Sequence, residues 1–360
     1  MSASEAPARF VGLDGIRGLA AVAVLGVHVP DPALRTILPG ADLAVDLFFV
    51  LSGFVLSHAY ENALCSSMGF FEFMKLRFVR LYPLYILGTL TMSALIVIET
   101  VPNRSFEPLT FIVTNVTAAS FLPTPRRASI NSSWLYPLNY PAWSLFFELF
   151  ANAVFASLAV FLRSWRVLLA VVLIGLAISV RYVIQAGDLG EIGPNFHHWV
   201  GGFGRVTLSF FLGVLVHRLW SAQWMPRIAW PVSISSALVL IAFAVPSEGP
   251  GRAVLDLAVC TLLFPLVVLA GARAKPQRAL ARFCALSGQL SYGVYILQIP
   301  IIYAAASLTE YAVGSPLIAF GPMATIAIVC VLFAVSAAAD KYYDRPLRAW
   351  IGRNRARRLH

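Results

Sequence analysis

The chain has 360 residues, of which 59% are hydrophobic and only 12% charged, with a formal net charge of +10. Soluble domains carry about 25% charged residues, so this composition excludes an ordinary soluble protein and points to an integral membrane one. Many apolar runs reach the roughly 20 residues a spanning helix needs, and strand-like alternation is absent, which argues against an outer-membrane barrel.

The hydropathy pattern predicts an all-α, polytopic membrane protein forming one domain over residues 1–360. About ten spans are expected, at roughly 10–30, 43–60, 79–101, 142–162, 167–185, 203–219, 228–246, 253–271, 285–308 and 316–339. The first has Arg9 ahead of an apolar run, as a signal peptide would. Asp14 and Arg17 interrupt that run and the exit HVPDPALR lacks a convincing cleavage site, so the segment reads as a retained span. Within GLDGIRGLAAVAVLGVH, Arg17 and His28 are eleven positions apart, which on a helix places them about 20° apart around the axis and roughly 16 Å apart along it. Asp14 falls within about 60° of the same stripe. Exposing such groups to lipid costs about 3 kcal/mol or more, so the stripe faces protein or a water-filled cavity. The plain alternative is a packing stripe with an Asp14–Arg17 salt bridge.

The second span opens on Asp46 and carries His58 near its inner end, the latter read as structural. At the mouth of the third, KLRFVRLYPLY sets Arg77 and Arg80 one turn apart on one face. Two guanidiniums so placed suit phosphate groups, and equally suit a positive anchor at the membrane surface. The segment 109–122 is apolar but short and holds Thr, Asn and Ser, so it reads as a re-entrant or interfacial piece rather than a span. Glu148 lies one to two turns into the fourth span, in PAWSLFFELF. The loop NFHHWVGGFGR offers His197, His198 and Trp199, an aromatic group able to stack on a sugar or to anchor the interface. Asp256 in the eighth span and Gln298 in the ninth either line a cavity or bond neighbouring helices.

With the N-terminus inside, the cytoplasmic segments collect Arg9; Lys75, Arg77 and Arg80; Arg163 and Arg166; Arg218 and Arg227; Arg273, Lys275, Arg278 and Arg282. The tail over 340–360 adds Lys341, Arg345, Arg348, Arg353, Arg355, Arg357 and Arg358. The other side receives Arg35, Arg104, Arg126, Arg127, Arg181, Arg205 and Arg252. This bias supports ten spans with both termini cytoplasmic, in a cytoplasmic (inner) membrane. The positive charge is then explained by anionic lipid and needs no nucleic acid. Cys65 and Cys284 fall on the cytoplasmic side and Cys260 and Cys330 within spans, so no disulfide is expected, and no metal spacing is present.

The direction of the spans sorts the polar residues. Arg77 and Arg80 lie toward the cytoplasm; His28, Asp46 and Glu148 converge toward the outer side. A neutral imidazole is a natural general base, and a carboxylate can orient it or steady its cation. Helix packing alone would also accommodate each residue singly, and a secondary transporter would likewise bury charges in a central cavity.

These segments resemble the acyltransferase 3 family of integral-membrane acyltransferases. LDGIRGLAAVAVLGVH is similar to its Arg-x10-His signature, VDLFFVLSGF to its second-span motif, RFVRLYP to its Arg-x-x-Arg motif and PAWSLFFELF to its Trp-Ser-Leu-x-x-Glu motif. LSYGVYILQIP resembles a late segment in which a histidine commonly stands where this chain has Gln298, and YYDRP a terminal Glu-x-Pro element with Asp344 substituted. The resemblance implies transfer of an acyl group, usually acetyl, from acyl-CoA to a hydroxyl of a glycan, a lipid-linked saccharide or a glycosylated small molecule. Arg17, Arg77, Arg80 and Tyr82 would then hold the donor. His28 would act as general base or transient acyl carrier with Glu148 and Asp46. Trp143, Ser144, His198, Trp199 and Gln298 would meet the acceptor. Acyl-CoA is a donor substrate rather than a resident cofactor, the other partners are membrane lipids, and self-association between copies is compatible with the sequence.

Overall fold

In hydrocarbon every backbone N–H and C=O must be satisfied within its own segment, so apolar runs of this length fold as helices. The computed structural model describes residues 10–29, 31–100, 107–131, 133–223, 230–246 and 251–356. Among these residues the regular structure is helical, and the one β contact is an isolated bridge between Trp134 and Asn195. The helices are α1 (Val11–His28), α2 (Pro32–Ile37), α3 (Ala44–Leu64), α4 (Phe70–Thr100), α5 (Pro108–Ala119), α6 (Ala142–Leu162) and α7 (Trp165–Ala186). There follow α8 (Gly201–Ser221), α9 (Val232–Ala244), α10 (Arg252–Ala258), α11 (Phe264–Arg273), α12 (Arg278–Val313), α13 (Gly321–Ala339) and α14 (Arg345–Ala356). A π turn at Val259–Leu263 joins α10 to α11, and another at Asp340–Asp344 joins α13 to α14.

Within the described residues, each expected span overlaps a helix. The helices α4 and α12 begin well before the apolar runs that reveal them, because hydropathy marks only the part of a helix that matches hydrocarbon. Among the described residues, eight helical runs are long and apolar enough to cross a membrane. Of the remaining expected spans, α8 has the length but carries Arg205, His217 and Arg218, and α9 has only 13 residues, or about 20 Å. The segment expected to be re-entrant or interfacial is α5, which lies along α4: Tyr82 Oη donates to Ala119 O at 2.8 Å, Tyr85 Oη to Ala118 O at 2.7 Å, and Ser93 Oγ to Asn115 Oδ1 at 2.6 Å. Arg9, Arg104, Arg227, Arg357 and Arg358, used in the charge tally, lie outside the described residues.

Two tight helix pairs set the frame. α1 packs along α12, where a Cβ on Gly18 would lie 2.5 Å from Ser287 Cβ and one on Gly288 would lie 2.5 Å from Asp14 Cβ. α3 packs along α8, the most enclosed helix, where a Cβ on Gly53 would stand 1.9 Å from Phe210 O and one on Gly213 would stand 2.1 Å from Val50 O. In lipid, where burial of apolar surface does little to drive helix association, such backbone approach supplies the van der Waals contact. Gly213→Leu is therefore expected to force α3 and α8 apart, costing about 1–3 kcal/mol or more, read as a lower thermal midpoint of the solubilised protein. An unchanged midpoint would mean that this seam does not hold the bundle.

Candidate active site

Five helices enclose a cavity of ≈ 230 Å³. α1 contributes Arg17, α3 contributes Phe48 and Ser52, α4 contributes Arg77 and Arg80, α6 contributes Ser144 and Glu148, and α12 contributes Tyr292 and Tyr295. Helix periodicity explains the pairs: residues three or four apart share a face, so each helix brings its polar side chains to the cavity together, with Val45, Val55, Leu56, Leu81 and Leu145 filling the lining between them. The lining carries three guanidiniums and one carboxylate, and two further carboxylates, Asp14 and Asp344, stand behind it against Arg17 and Arg80.

Glu148 Oε1 is held twice, by Arg77 Nη2 at 2.9 Å and by Ser52 Oγ at 2.7 Å. Arg17 Nη1 lies 3.7 Å from Asp14 Oδ1, the local salt bridge that the first span suggested. Arg80 Nη1 is 3.9 Å from Asp344 Oδ2, and its guanidinium sits 5.3 Å from the centre of the Tyr292 ring. At the far end of the cavity the Tyr295 and Ser144 hydroxyls are 2.8 Å apart, and Tyr295 Oη also reaches Pro141 O at 3.2 Å.

His28 ends α1, eleven residues beyond Arg17 and outside the cavity lining. Its Nδ1 is 3.0 Å from Val24 O. A carbonyl only accepts, so Nδ1 carries the proton in the neutral ring and Nε2 keeps its lone pair. The ring stands edge-on to Tyr140, with centroids 5.4 Å apart, and the Gln298 side chain interacts with it. Gln298 Nε2 in turn donates to Tyr295 O at 2.8 Å, which ties the His28 end to the cavity wall. Burial pushes the Tyr140 phenol above its ordinary pKa, so this neighbour stays protonated.

The expected meeting of His28, Asp46 and Glu148 does not form. Glu148 belongs to the arginine cavity, and the backbone carbonyl of Val24, not a carboxylate, orients the imidazole. Asp46 is fully buried against Arg205: Nη2 is 2.7 Å and Nε 3.0 Å from Oδ2, while Ser209 Oγ donates to Oδ1 at 3.0 Å. Arg205 was counted among loop charges on the sequence, but it sits in the first turns of α8, fully enclosed, with Nη1 donating to Ile192 O. Charges at these positions are tolerated because each saturates the other.

The remaining assignments fall on both sides of the cavity wall. Trp143 is buried beneath the Arg205 guanidinium, 5.3 Å from its ring centre, and packs on Gly193, so it supports the wall rather than lining it. Tyr82 spends its hydroxyl on α5. His198 and Trp199 sit in the loop before α8, His198 N bonded to Asn195 Oδ1 and the Trp199 ring 5.9 Å from Phe203; neither lines the cavity. Ser144 does line it. Asp256 bonds neighbours, accepting from Leu189 N at 3.0 Å and pairing with Arg252 at 2.6 Å. His58, read from the sequence as structural, packs its ring among Phe10, His217 and Trp220.

Asp46→Ala separates the two views of that residue. Leaving Arg205 buried and unpaired is expected to cost about 3–5 kcal/mol of stability, with the specific activity of the protein that does fold retained. Loss of activity at unchanged stability would return Asp46 to the chemistry. Residues that sequence reasoning missed here are Ser52, Tyr140, Tyr292 and Tyr295. All are neutral side chains in apolar helices or loops, and only their position beside a charged neighbour marks them.

A family profile described as "Acyltransferase domain", acyltransferase 3, matches residues 10–339, nearly the whole chain. This chain belongs to the acyltransferase 3 family. As a member of that family with eight helical runs suited to crossing a bilayer, it is a multi-pass membrane acyltransferase. It is similar to "Protein 2 in picA locus" of Rhizobium radiobacter, with 42% identity over 167 residues, covering 42% of this chain and 82% of that protein. It is also similar to "Exopolysaccharide production protein ExoZ" of Rhizobium meliloti (strain 1021), with 28% identity over 197 residues. That match covers 54% of each chain, so the acyltransferase spans about half the length of this relative. No solved structure matches it.

Proposed function

We propose that this acyltransferase moves an acyl group, acetyl in the first instance, from acyl-CoA to a hydroxyl of an exopolysaccharide or a related glycan. The observation that supports the reading is the arginine-rich cavity: three guanidiniums, each held by a single carboxylate, keep further N–H donors for an anionic ligand in one small space. A thioester donor whose far end carries phosphates meets that requirement. We take the cavity's Arg80 side to face the cytoplasm of an inner membrane, where acyl-CoA is found, and His28 to face the outer side; the bias of the basic segments supports this orientation. The exopolysaccharide class rests on the name carried by the ExoZ relative.

In this reading the pantetheine arm extends from Arg17 past Tyr295 toward His28, roughly 16 Å along α1. His28 Nε2 takes the proton of the acceptor hydroxyl, whose oxygen forms the ester bond to the acyl carbon as the carbon–sulfur bond breaks. The sulfur leaves as thiolate and recovers the proton as CoA thiol. Attack by Nε2 itself, giving a transient acyl-histidine, uses the same lone pair. Gln298, whose side chain interacts with the imidazole, steadies the ring as its charge develops.

The test supplies labelled acetyl-CoA and isolated glycan to the protein in lipid, comparing wild type with Arg77→Ala/Arg80→Ala. Label is expected on the glycan, with a raised KM for acetyl-CoA in the double variant. Glycan movement across the bilayer without thioester consumption would identify a transporter instead, and unchanged donor KM would remove the phosphate clamp.

A further inference from the structure

The cavity has a neighbour on its Arg80 side. Arg80 belongs to the lining but pairs outside it with Asp344, so a donor whose arm lies in the cavity has its nucleotide end on that side. What stands there comes from the last helix. The π turn Asp340–Asp344 packs against α4, with Asp344 near Arg80 and Asp340 accepting from Gln289 Nε2 of α12 at 2.9 Å, and passes directly into α14. Asp344 Oδ2 is shared by two guanidiniums: Arg80 Nη1 from α4 and Arg348 Nη2 from α14. Arg348 also lies 3.8 Å from Asp340 Oδ1, which Arg345 Nη2 approaches to 2.7 Å through Oδ2.

Exposure separates the members of this cluster. The Asp344 side chain is 1% exposed, whereas Arg80 is 37% and Arg348 25% exposed. The carboxylate is thus a buried counter-ion beneath two partly exposed arginines. Two guanidiniums converging on a single carboxylate oxygen present their remaining N–H donors side by side, the arrangement that suits phosphate oxygens.

We propose that Arg348 is a donor-binding residue, pairing with Arg80 to hold the phosphates of the nucleotide end of acyl-CoA, with Asp344 as the buried carboxylate that preorganises both. The inference rests on the acyl-CoA reading above and extends it to a segment outside the four motifs of the first 150 residues. The arm inside the cavity answers to Arg17 and Arg77; the nucleotide outside it answers to Arg80 and Arg348.

The experiment measures equilibrium binding to the full-length protein in lipid nanodiscs, using three probes: CoA, pantetheine without the nucleotide, and adenosine 3′,5′-bisphosphate without the arm. Arg348→Ala is expected to weaken CoA and the bisphosphate roughly tenfold or more and to leave pantetheine unchanged, with Arg348→Lys intermediate because charge is kept and the planar fork lost. Arg348→Ala/Asp344→Asn guards against a buried uncompensated acid: it is expected to regain stability without regaining CoA affinity. Recovery of CoA affinity in that double variant would overturn the proposal, since Arg348 would then act only by neutralising Asp344. Equal losses for CoA and pantetheine would overturn it as well. Wild-type CoA affinity in Arg348→Ala refutes the proposal and spares the donor reading, whereas a wild-type protein that binds no CoA refutes both.

Discussion

His28→Ala is expected to lower acyl transfer about 10²- to 10⁴-fold, the usual contribution of a positioned general base, while CoA binding stays at its wild-type value. The geometry makes the expectation sharp. With Nδ1 tied to Val24 O, the ring has one lone pair, on Nε2, and one orientation. His28→Asn can keep a donor toward Val24 O but offers no basic nitrogen, so it should be as inactive as alanine. Activity surviving in His28→Asn would mean that the side chain only packs the end of α1. Single-turnover reaction with labelled donor then separates direct transfer from an acyl-histidine, because only the latter leaves label on the protein.

The Arg77–Glu148 pair carries the second large effect. Glu148 is mostly buried and its Oε1 is bonded by Arg77 and Ser52, so Arg77→Ala leaves a carboxylate in the membrane interior without its bonded guanidinium. Breaking such a pair from one side costs about 3–5 kcal/mol. Adding Glu148→Gln removes the stranded charge and should restore a large part of that loss, so the thermal midpoints of the four members of the cycle should be strongly non-additive. Glu148→Gln alone has the opposite sign for ligand: it frees Arg77 from its carboxylate and should tighten CoA binding. Additive midpoints, or weaker CoA binding in Glu148→Gln, would show that Glu148 is not the resident counter-ion of the donor site.

The outlines of the helices were legible in the amino-acid pattern because partitioning into hydrocarbon is a local sum over about 20 residues. α6 appears at the expected 142–162, and the cavity face of α4 follows from the three-residue spacing of Arg77 and Arg80. The stripe from Arg17 to His28 was equally visible, since both lie on one helix whose periodicity is known in advance. The same reasoning grouped Asp46 and Glu148 with His28 by depth alone. Depth does not specify which helix face turns to which neighbour, and here Asp46 turns to α8 and Glu148 to α4.

Composition and hydropathy therefore determine that this protein crosses a membrane, roughly where its helices run, and that its arginines and histidine cannot face lipid; its motifs point to acyl transfer. The pairing of charges was decided by tertiary structure. Arg77 meets Glu148 71 positions away, Asp46 meets Arg205 159 positions away, and Arg80 of α4 meets Asp344 at the start of α14. The physical reason is that a buried charge must find its counter-ion within a few ångströms. Which one lies that close depends on helix rotation and on backbone approach at residues such as Gly18, Gly53 and Gly213, neither of which is encoded within a single helix.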